Sequence, residues 1–441
     1  MTAGALAISA VLVAGGCSSS KDSEKPAAPK AVSQTEIDAA MNTPTTLDFW
    51  TWVPIQDEIK LFEQKYPKIK VNVINNADAS QQYVKLRAAL KARKGVPDVA
   101  QIGYDRLPSF TQTKSLLDLT SYGAANLKSQ YVESIWSQVE QNGGVWAIPQ
   151  DSGPLGTLYR SDIFKKAGVE TPKTWADFVT AAQEIKSKTG AYVTNLPGND
   201  MPQLLAYFSQ AGASPFSYDG KQTVGVNVDS AIPQKVVGYW QDLISKGLVS
   251  TDPDFTDAWY QGLSRGKYAS WLAAAWGPVF LQGTAKNTSG KWSVATLPQW
   301  EAGQNVSANW GGSSDAVMAG SQHPIQAYML AKFINGDPAS TLKLANDQFL
   351  FPTTKSTLAD PKFTDEKAPF YGGQQVNKLF AGVSGTVAQN QQWLPFMDYA
   401  NSAYDETLGK AISDHADLKA ALTAWQKKLV DYAKQQGFTV K

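Results

Sequence analysis

The residue types that usually carry catalysis are scarce and badly spaced in this chain. Its two histidines, His323 and His415, stand far apart and form no metal-ligand spacing, which argues against a zinc site. No Gly-x-Ser-x-Gly elbow occurs. The stretch from Gly283 to Gly290-Lys291 is better read as a loop than as a phosphate cradle. Its spacing is wrong, and Trp292 stands where Ser or Thr would bind magnesium. Paired carboxylates for glycoside hydrolysis stay open, because any two Asp or Glu can meet in space. The unusual resource is aromatic: 14 Trp and 17 Tyr. Many can serve the core, but a Trp ring is a flat apolar face with one donor, which suits wet, amphipathic ligands.

The single cysteine, Cys17, carries a different chemistry. It follows an apolar run, Ala3 to Gly16, ends the small-residue stretch Val13-Ala14-Gly15-Gly16, and precedes Ser18-Ser19-Ser20. The run fits a signal-peptide core of about 7–15 residues and is too short for a membrane-spanning helix of about 20. The segment resembles a bacterial lipoprotein signal. That resemblance implies that residues 1–16 are removed, that Cys17 is acylated, and that the mature chain is held on the outer face of the cytoplasmic membrane by lipid. The alternative is a buried segment with an ordinary free thiol. One cysteine leaves no disulfide framework, although export implies an oxidising compartment.

Composition narrows the partners. Lys+Arg 40 against Asp+Glu 39 gives a net charge of +1, so no field exists to hold nucleic acid or an acidic membrane. A chain of 441 residues, 43% hydrophobic, is long enough for two core-bearing domains. A monomer without cofactor is expected.

Elements able to position a site follow from periodicity. Residues 17–44 are rich in Ser, Lys, Pro and Ala and read as a flexible tether. Leu47 to Trp52 reads as a strand, and Ile55, Ile59, Phe62 and Tyr66 then recur at helical spacing up to Pro67. Ile69, Val71 and Val73 alternate as a second strand. Tyr83, Leu86 and Leu90 mark a helix closed by Gly95, and Val99 to Ile102 is a third strand. Strand-helix-strand-helix-strand predicts a parallel α/β sheet. Further on, Val145 to Pro149 and Leu155 to Tyr159 read as short strands. Thr174 caps a helix to about Lys188, and Ile232 to Lys246 is a helix closed by Gly247. Lys267 to Ala273 and Trp292 to Leu297 look like buried strands. A helix follows from Pro324 to Asn335, and the region after Trp393 is mostly helical.

Five segments in order resemble the extracellular solute-binding proteins of ABC importers, in their oligosaccharide-binding branch. They are Leu47-Asp48-Phe49-Trp50-Thr51-Trp52; Pro97-Asp98-Val99-Ala100-Gln101-Ile102-Gly103-Tyr104-Asp105-Arg106; Trp146-Ala147-Ile148-Pro149-Gln150-Asp151-Ser152-Gly153-Pro154 with Leu158 to Phe164 and Thr171 to Trp175; Gly266-Lys267-Tyr268-Ala269 through Trp276-Gly277-Pro278; and Trp310-Gly311-Gly312-Ser313-Ser314. The resemblance implies two α/β domains with a ligand cleft between them and a multi-segment hinge. Its crossings would fall near Pro149 to Pro154, Ala308 to Ser314 and Phe351 to Lys355. The lobes would then comprise 45–150 with 309–352, and 151–308 with 353–441. The implied partners are an oligosaccharide and the transmembrane subunits of a permease.

Sugars present apolar C–H faces ringed by hydroxyls, so a site needs aromatic plates, carboxylates and amides. Trp52 lies just past a strand end, where open α/β sheets place ligands, whereas Trp50 sits within the strand and suits the core better. By resemblance, Trp52 and Asp105 fall at ligand-contacting positions. An ionised carboxylate accepts strong bonds from hydroxyls; for Asp105, a salt bridge to Arg106 is the alternative. Asp151 at the first crossing is either a ligand acceptor or a turn-capping residue. Trp276 before Gly277-Pro278, and Trp310 before Gly311, complete the main candidates, with Trp393 and Gln348 as weaker ones. Glycines 153, 311 and 312 fit a hinge or a close ligand approach, or ordinary turns. Trp175, Trp240, Trp292 and Trp425 read as core.

The expected function is therefore capture of an oligosaccharide for a permease, with no chemistry performed. A lipid-anchored glycoside hydrolase is the alternative from another class. A binder of glycerol phosphate would require a Lys/Arg cluster that the five segments lack beyond Arg106 and Arg160.

Overall fold

The computed structural model describes residues 31–76 and 78–441, so the proposed signal and Cys17 lie outside the described residues. The first lobe is built on a five-stranded sheet. Its strands run, from one edge, Ile69–Asn75, Thr45–Thr51, Val99–Gly103, Ser313–Val317 and Ile148–Pro149. The first three are parallel, as the strand-helix alternation predicts. Ser313–Val317 arrives from far along the chain and pairs antiparallel on both sides. Helices Gln56–Lys65 and Ala79–Ala92 connect the parallel strands. Leu47, Phe49, Ile69, Val99, Ile102, Ile148 and Val317 are fully buried in this core. Each such side chain contributes about 1.5–3 kcal/mol relative to exposure.

The second lobe centres on Leu155–Arg160, which is flanked antiparallel by Ser270–Ala274 and Trp292–Thr296. Helix Trp175–Thr189 shows how locally determined its parts are. Thr174 and Asp177 form a reciprocal capping box, and Gly190 ends the helix in the left-handed region at φ 76. Losing such a cap costs about 1 kcal/mol. Trp175, Trp240, Trp292 and Trp425 are buried in this core. The C-terminal helix Leu418–Gln435 is followed by a short strand, Thr439–Val440, that joins Thr223–Val226 in parallel.

Three chain crossings join the lobes side by side. Leu155 N donates to Ala308 O at 2.9 Å, Trp310 N to Gly153 O at 2.8 Å, Gln150 N to Ser313 O at 2.9 Å and Ser152 N to Phe351 O at 3.0 Å. The contact is too close for a side chain at residue 153, where a Cβ would sit 2.0 Å from Trp310 O. At Gly312 the backbone has φ 96, and a Cβ would sit 2.7 Å from Asp151 O. Both glycines are thus required by the crossing itself. Core membership switches within the crossings. Trp310, Ala345 and Phe351 belong to the second core, whereas Ala316 and Leu344 belong to the first.

The tether expected over 17–44 is corrected at its far end. Residues Gln34–Met41 form a helix, started by a capping box between Ser33 and Glu36. Met41 is buried in the first core, and Gln326 Nε2 donates to Ala40 O at 3.2 Å. Only Ile37 and Met41 supply an apolar edge, too little periodicity to read as a helix, yet they are one turn apart and docking onto Pro324–Gly336 suffices.

Candidate functional site

The candidate residues gather in two groups that meet at the second crossing. The first group sits at the C-terminal ends of the parallel strands. Trp52 follows Thr45–Thr51 and is half-buried; its ring meets Tyr83 edge-on at 6.0 Å, and its backbone N–H donates to Gln101 Oε1 at 3.1 Å. Trp50 is also half-buried, so the contrast expected between the two is small. Asp105 lies in the turn Tyr104–Arg106 that ends Val99–Gly103. Its carboxylate is 3.4 Å from Arg106 Nε and its side chain is 26% exposed. Burial pushes its pKa up, and the Arg106 guanidinium opposes that. Both readings of Asp105 thus share one geometry: it pairs with Arg106 and keeps accessible surface.

The second group is aromatic. Trp276 follows Ser270–Ala274 and starts the helix Gly277–Thr284. Its ring lies 4.8 Å from Trp310 and 6.1 Å from Phe255, centroid to centroid. Trp276 is half-buried, while Phe255 and Phe280 beside it are 42% and 46% exposed. Trp310 lies beneath this plate at 4% exposure, so its face is taken by neighbours. Trp276 and Phe349 line a cavity of about 120 Å³ together with Gln282, Asn346 and Glu366. Phe255 and Phe349 hold φ 55 and φ 57, a backbone region that bulky residues seldom adopt and one associated with functional sites.

The second crossing links the groups. Gly312 O accepts from Tyr104 N at 3.4 Å, next to Asp105. Gly311, at φ 79, has Trp276 Nε1 nearest the position its Cβ would take, 3.7 Å away.

The remaining candidates stand elsewhere. The Asp151 carboxylate accepts from Ser313 N at 2.8 Å and from the Ser313 hydroxyl, so it fastens the first crossing to the second. Burial raises its pKa to about 6 against those bonds. Trp393 is buried between the lobes, where its Nε1 donates to Gln138 Oε1 at 2.7 Å. Gln348 ends helix Pro338–Asp347, but its neighbours Asn346 and Phe349 line the cavity in its place.

Sequence reasoning missed a buried acid pair under the aromatic plate. Asp200 caps helix Met201–Gln210 through Gln203 N at 2.8 Å, and its carboxyl feels the charge of Asp254. Burial raises the pKa of both carboxyls, and the neighbouring Asp254 charge raises Asp200 further. The Asp-x-Pro start of that helix was readable as a cap; its approach to residue 254 was not. Among the described residues, no group of three or more His, Cys, Asp or Glu could hold a metal ion.

Two α/β lobes, three crossings and an aromatic plate at their junction define a two-domain solute-binding protein. The chain belongs to the bacterial extracellular solute-binding protein family, whose model matches residues 50–340. It is 27% identical over 347 residues to the arabinooligosaccharide-binding protein of Bacillus subtilis (strain 168), covering 76% of this chain and 75% of that one. It is 32% identical to the ABC transporter associated binding protein of B. animalis subsp. lactis Bl-04 in complex with beta-1,6-galactobiose. That match has a TM-score of 0.77 and covers 91% of this chain and 100% of the other. The galacto-N-biose-/lacto-N-biose I-binding protein of Bifidobacterium longum shares the fold at 24% identity and a TM-score of 0.79, covering 90% and 98% of the two chains. The family is one of binding proteins, not enzymes.

Proposed function

We propose that the solute captured by this chain is a neutral oligosaccharide, held between Trp52 and Asp105 on one lobe and the plate of Trp276 and Phe255 on the other. The chain is the solute-binding component of an ABC sugar importer. Binding closes the lobes about the three crossings, and the permease takes the ligand from the closed form. The observation that carries the choice of ligand is the partly exposed aromatic plate of Trp276 and Phe255 across from Asp105, with the nearby Arg106 and Arg87 already paired to Asp105 and Asp398. Carboxylates accept bonds from hydroxyls and repel anions, and the repulsion grows where water is excluded. The protein performs no chemistry on its ligand and acts as a monomer.

The domain division follows the same reading: 45–150 with 309–352 in one lobe, and 151–308 with 353–441 in the other. A thermal-shift screen against neutral arabino- and galacto-oligosaccharides tests the ligand class. A ligand at about 100 times its dissociation constant adds ~2.7 kcal/mol of stability. No shift with any neutral sugar, alongside a clear shift with phosphorylated or uronic-acid sugars, overturns the reading.

The chain is tethered to the membrane through an acylated Cys17. Two acyl chains anchor stably where one is marginal, and among the described residues no helix is long and apolar enough to cross a membrane. Cys17→Ala should release the protein into the soluble fraction; a variant still tightly membrane-bound contradicts the anchor.

A further inference from the structure

Helix Met397–Tyr404 belongs to the second lobe and carries Asp398 in its first turn. Asp398 Oδ2 lies 2.6 Å from Arg87 Nη2, and its Oδ1 lies 3.0 Å from Arg106 Nη1. Both arginines belong to the first lobe, Arg87 on helix Ala79–Ala92 and Arg106 in the turn that ends Val99–Gly103. Among the described residues, these are the two ion pairs with a partner in each lobe. The others, such as Lys65–Asp337, Lys128–Glu140, Lys267–Asp252 and Lys428–Glu406, stay within one lobe.

The arginines are held ready from their own side. The Arg87 guanidinium lies 5.3 Å above the Phe110 ring. Arg106 Nε faces Asp105, while Nη1 is buried without a hydrogen-bond partner, so Asp398 supplies its countercharge. A buried charge without a partner is costly, which makes this pair worth more than a freely exposed one. Asp398 itself is 55% exposed and Arg87 43%, so salt reaches the outer pair.

We propose that Asp398 is an electrostatic latch for the closed form. Rotation about the three crossings carries it away from Arg87 and Arg106, so closure gains two ion pairs that the open form lacks. Closure then depends on salt even though a neutral sugar brings no charge of its own. The latch rests on the two-lobe binding reading given above, and its test separates the two.

The test uses the full chain with Cys17→Ser and single cysteines introduced at Val84 in the first lobe and Lys427 in the second, both strongly exposed. Donor and acceptor dyes there report the interlobe distance in single molecules. In the otherwise unchanged protein, the closed-to-open ratio should fall about two- to fivefold between low and ~1 M salt, as expected for partly exposed pairs. Asp398→Asn should start at the lower ratio and stay flat with salt. Arg87→Gln should fall part of the way, and adding it to Asp398→Asn should change nothing further. Melting curves of each variant confirm that it is folded. An Asp398→Asn ratio equal to the parent, or a parent ratio indifferent to salt, overturns the latch. Adding beta-1,6-galactobiose as a probe separates the two ideas: sugar that still closes Asp398→Asn by the full amount, with the parent's salt response, defeats the latch alone and leaves the binding reading in place.

Discussion

Trp276 Nε1 donates to the backbone carbonyl oxygen of Trp310 at 3.1 Å, which bolts the aromatic plate onto the second crossing. Trp310 N in turn bonds Gly153 O in the first crossing at 2.8 Å. The surface proposed to meet the ligand is therefore mechanically continuous with the segments about which the lobes turn.

The plate and its underside should respond differently to truncation. Trp276→Ala, and Trp52→Ala on the opposite lobe, should each weaken sugar binding by about 1–3 kcal/mol while the protein stays folded. Trp310→Ala removes a ring that is 4% exposed and should cost about 3–5 kcal/mol of stability. Calorimetric titration paired with thermal melts separates these effects. Wild-type affinity in both Trp276→Ala and Trp52→Ala would remove the site from where we have put it.

Asp105→Asn keeps the shape of the turn and converts a charged acceptor to a neutral one. Affinity for a neutral sugar should drop, because charge-assisted bonds are roughly twice as strong as neutral ones. Unchanged affinity in titration would mean that Asp105 serves Arg106 alone.

Gly153→Ala probes the crossing. With a Cβ placed 2.0 Å from Trp310 O, backbone must move, and overpacking of this kind costs about 1–3 kcal/mol. A thermal melt checks it, and a variant as stable as the parent would show that the crossings are not tightly apposed.

Two carboxyls of the hinge region should make stability fall as pH rises from about 4 to 7. Asp315 is completely buried; burial drives its pKa to about 7, with the Asn335 bond opposing and the Asp151 charge adding. The native state therefore holds a proton that the unfolded chain releases near its ordinary value of 3.8. Between about pH 4 and 7 the native state binds more protons, so unfolding free energy declines as pH rises, by at most about 1.4 kcal/mol per unit from this group. Asp151, raised to about 6, acts with the same sign. Urea melts at several pH values should show that slope, and Asp315→Asn should flatten it. A slope of equal size in the variant would assign the effect to other groups.

The fold was largely legible, and the site only in part, for a common physical reason. Helix Trp175–Thr189 announced itself through Thr174, Asp177 and Gly190, all within one element. Likewise the strands around Phe49, Val71 and Val99 followed from residues within each element, Val71 by its alternation with Ile69 and Val73. Trp52, Asp105 and Trp276 could be placed at strand ends from such patterns, as the structure has them. Long-range encounters left no local trace. Asp151 meets Ser313, Trp393 meets Gln138, Asp200 meets Asp254 and Asp398 meets two arginines, each across many residues of chain. Phe255 escaped notice because a lone aromatic in the polar loop Pro253 to Asp257 has no period to reveal it.

The central claim is tested most directly by calorimetric titration of the intact protein with neutral oligosaccharides, followed by analysis of the recovered sugar. The account predicts saturable one-to-one binding of at least one of them, with the sugar recovered uncleaved. Cleavage products, or binding confined to phosphorylated or uronic-acid sugars, would contradict it.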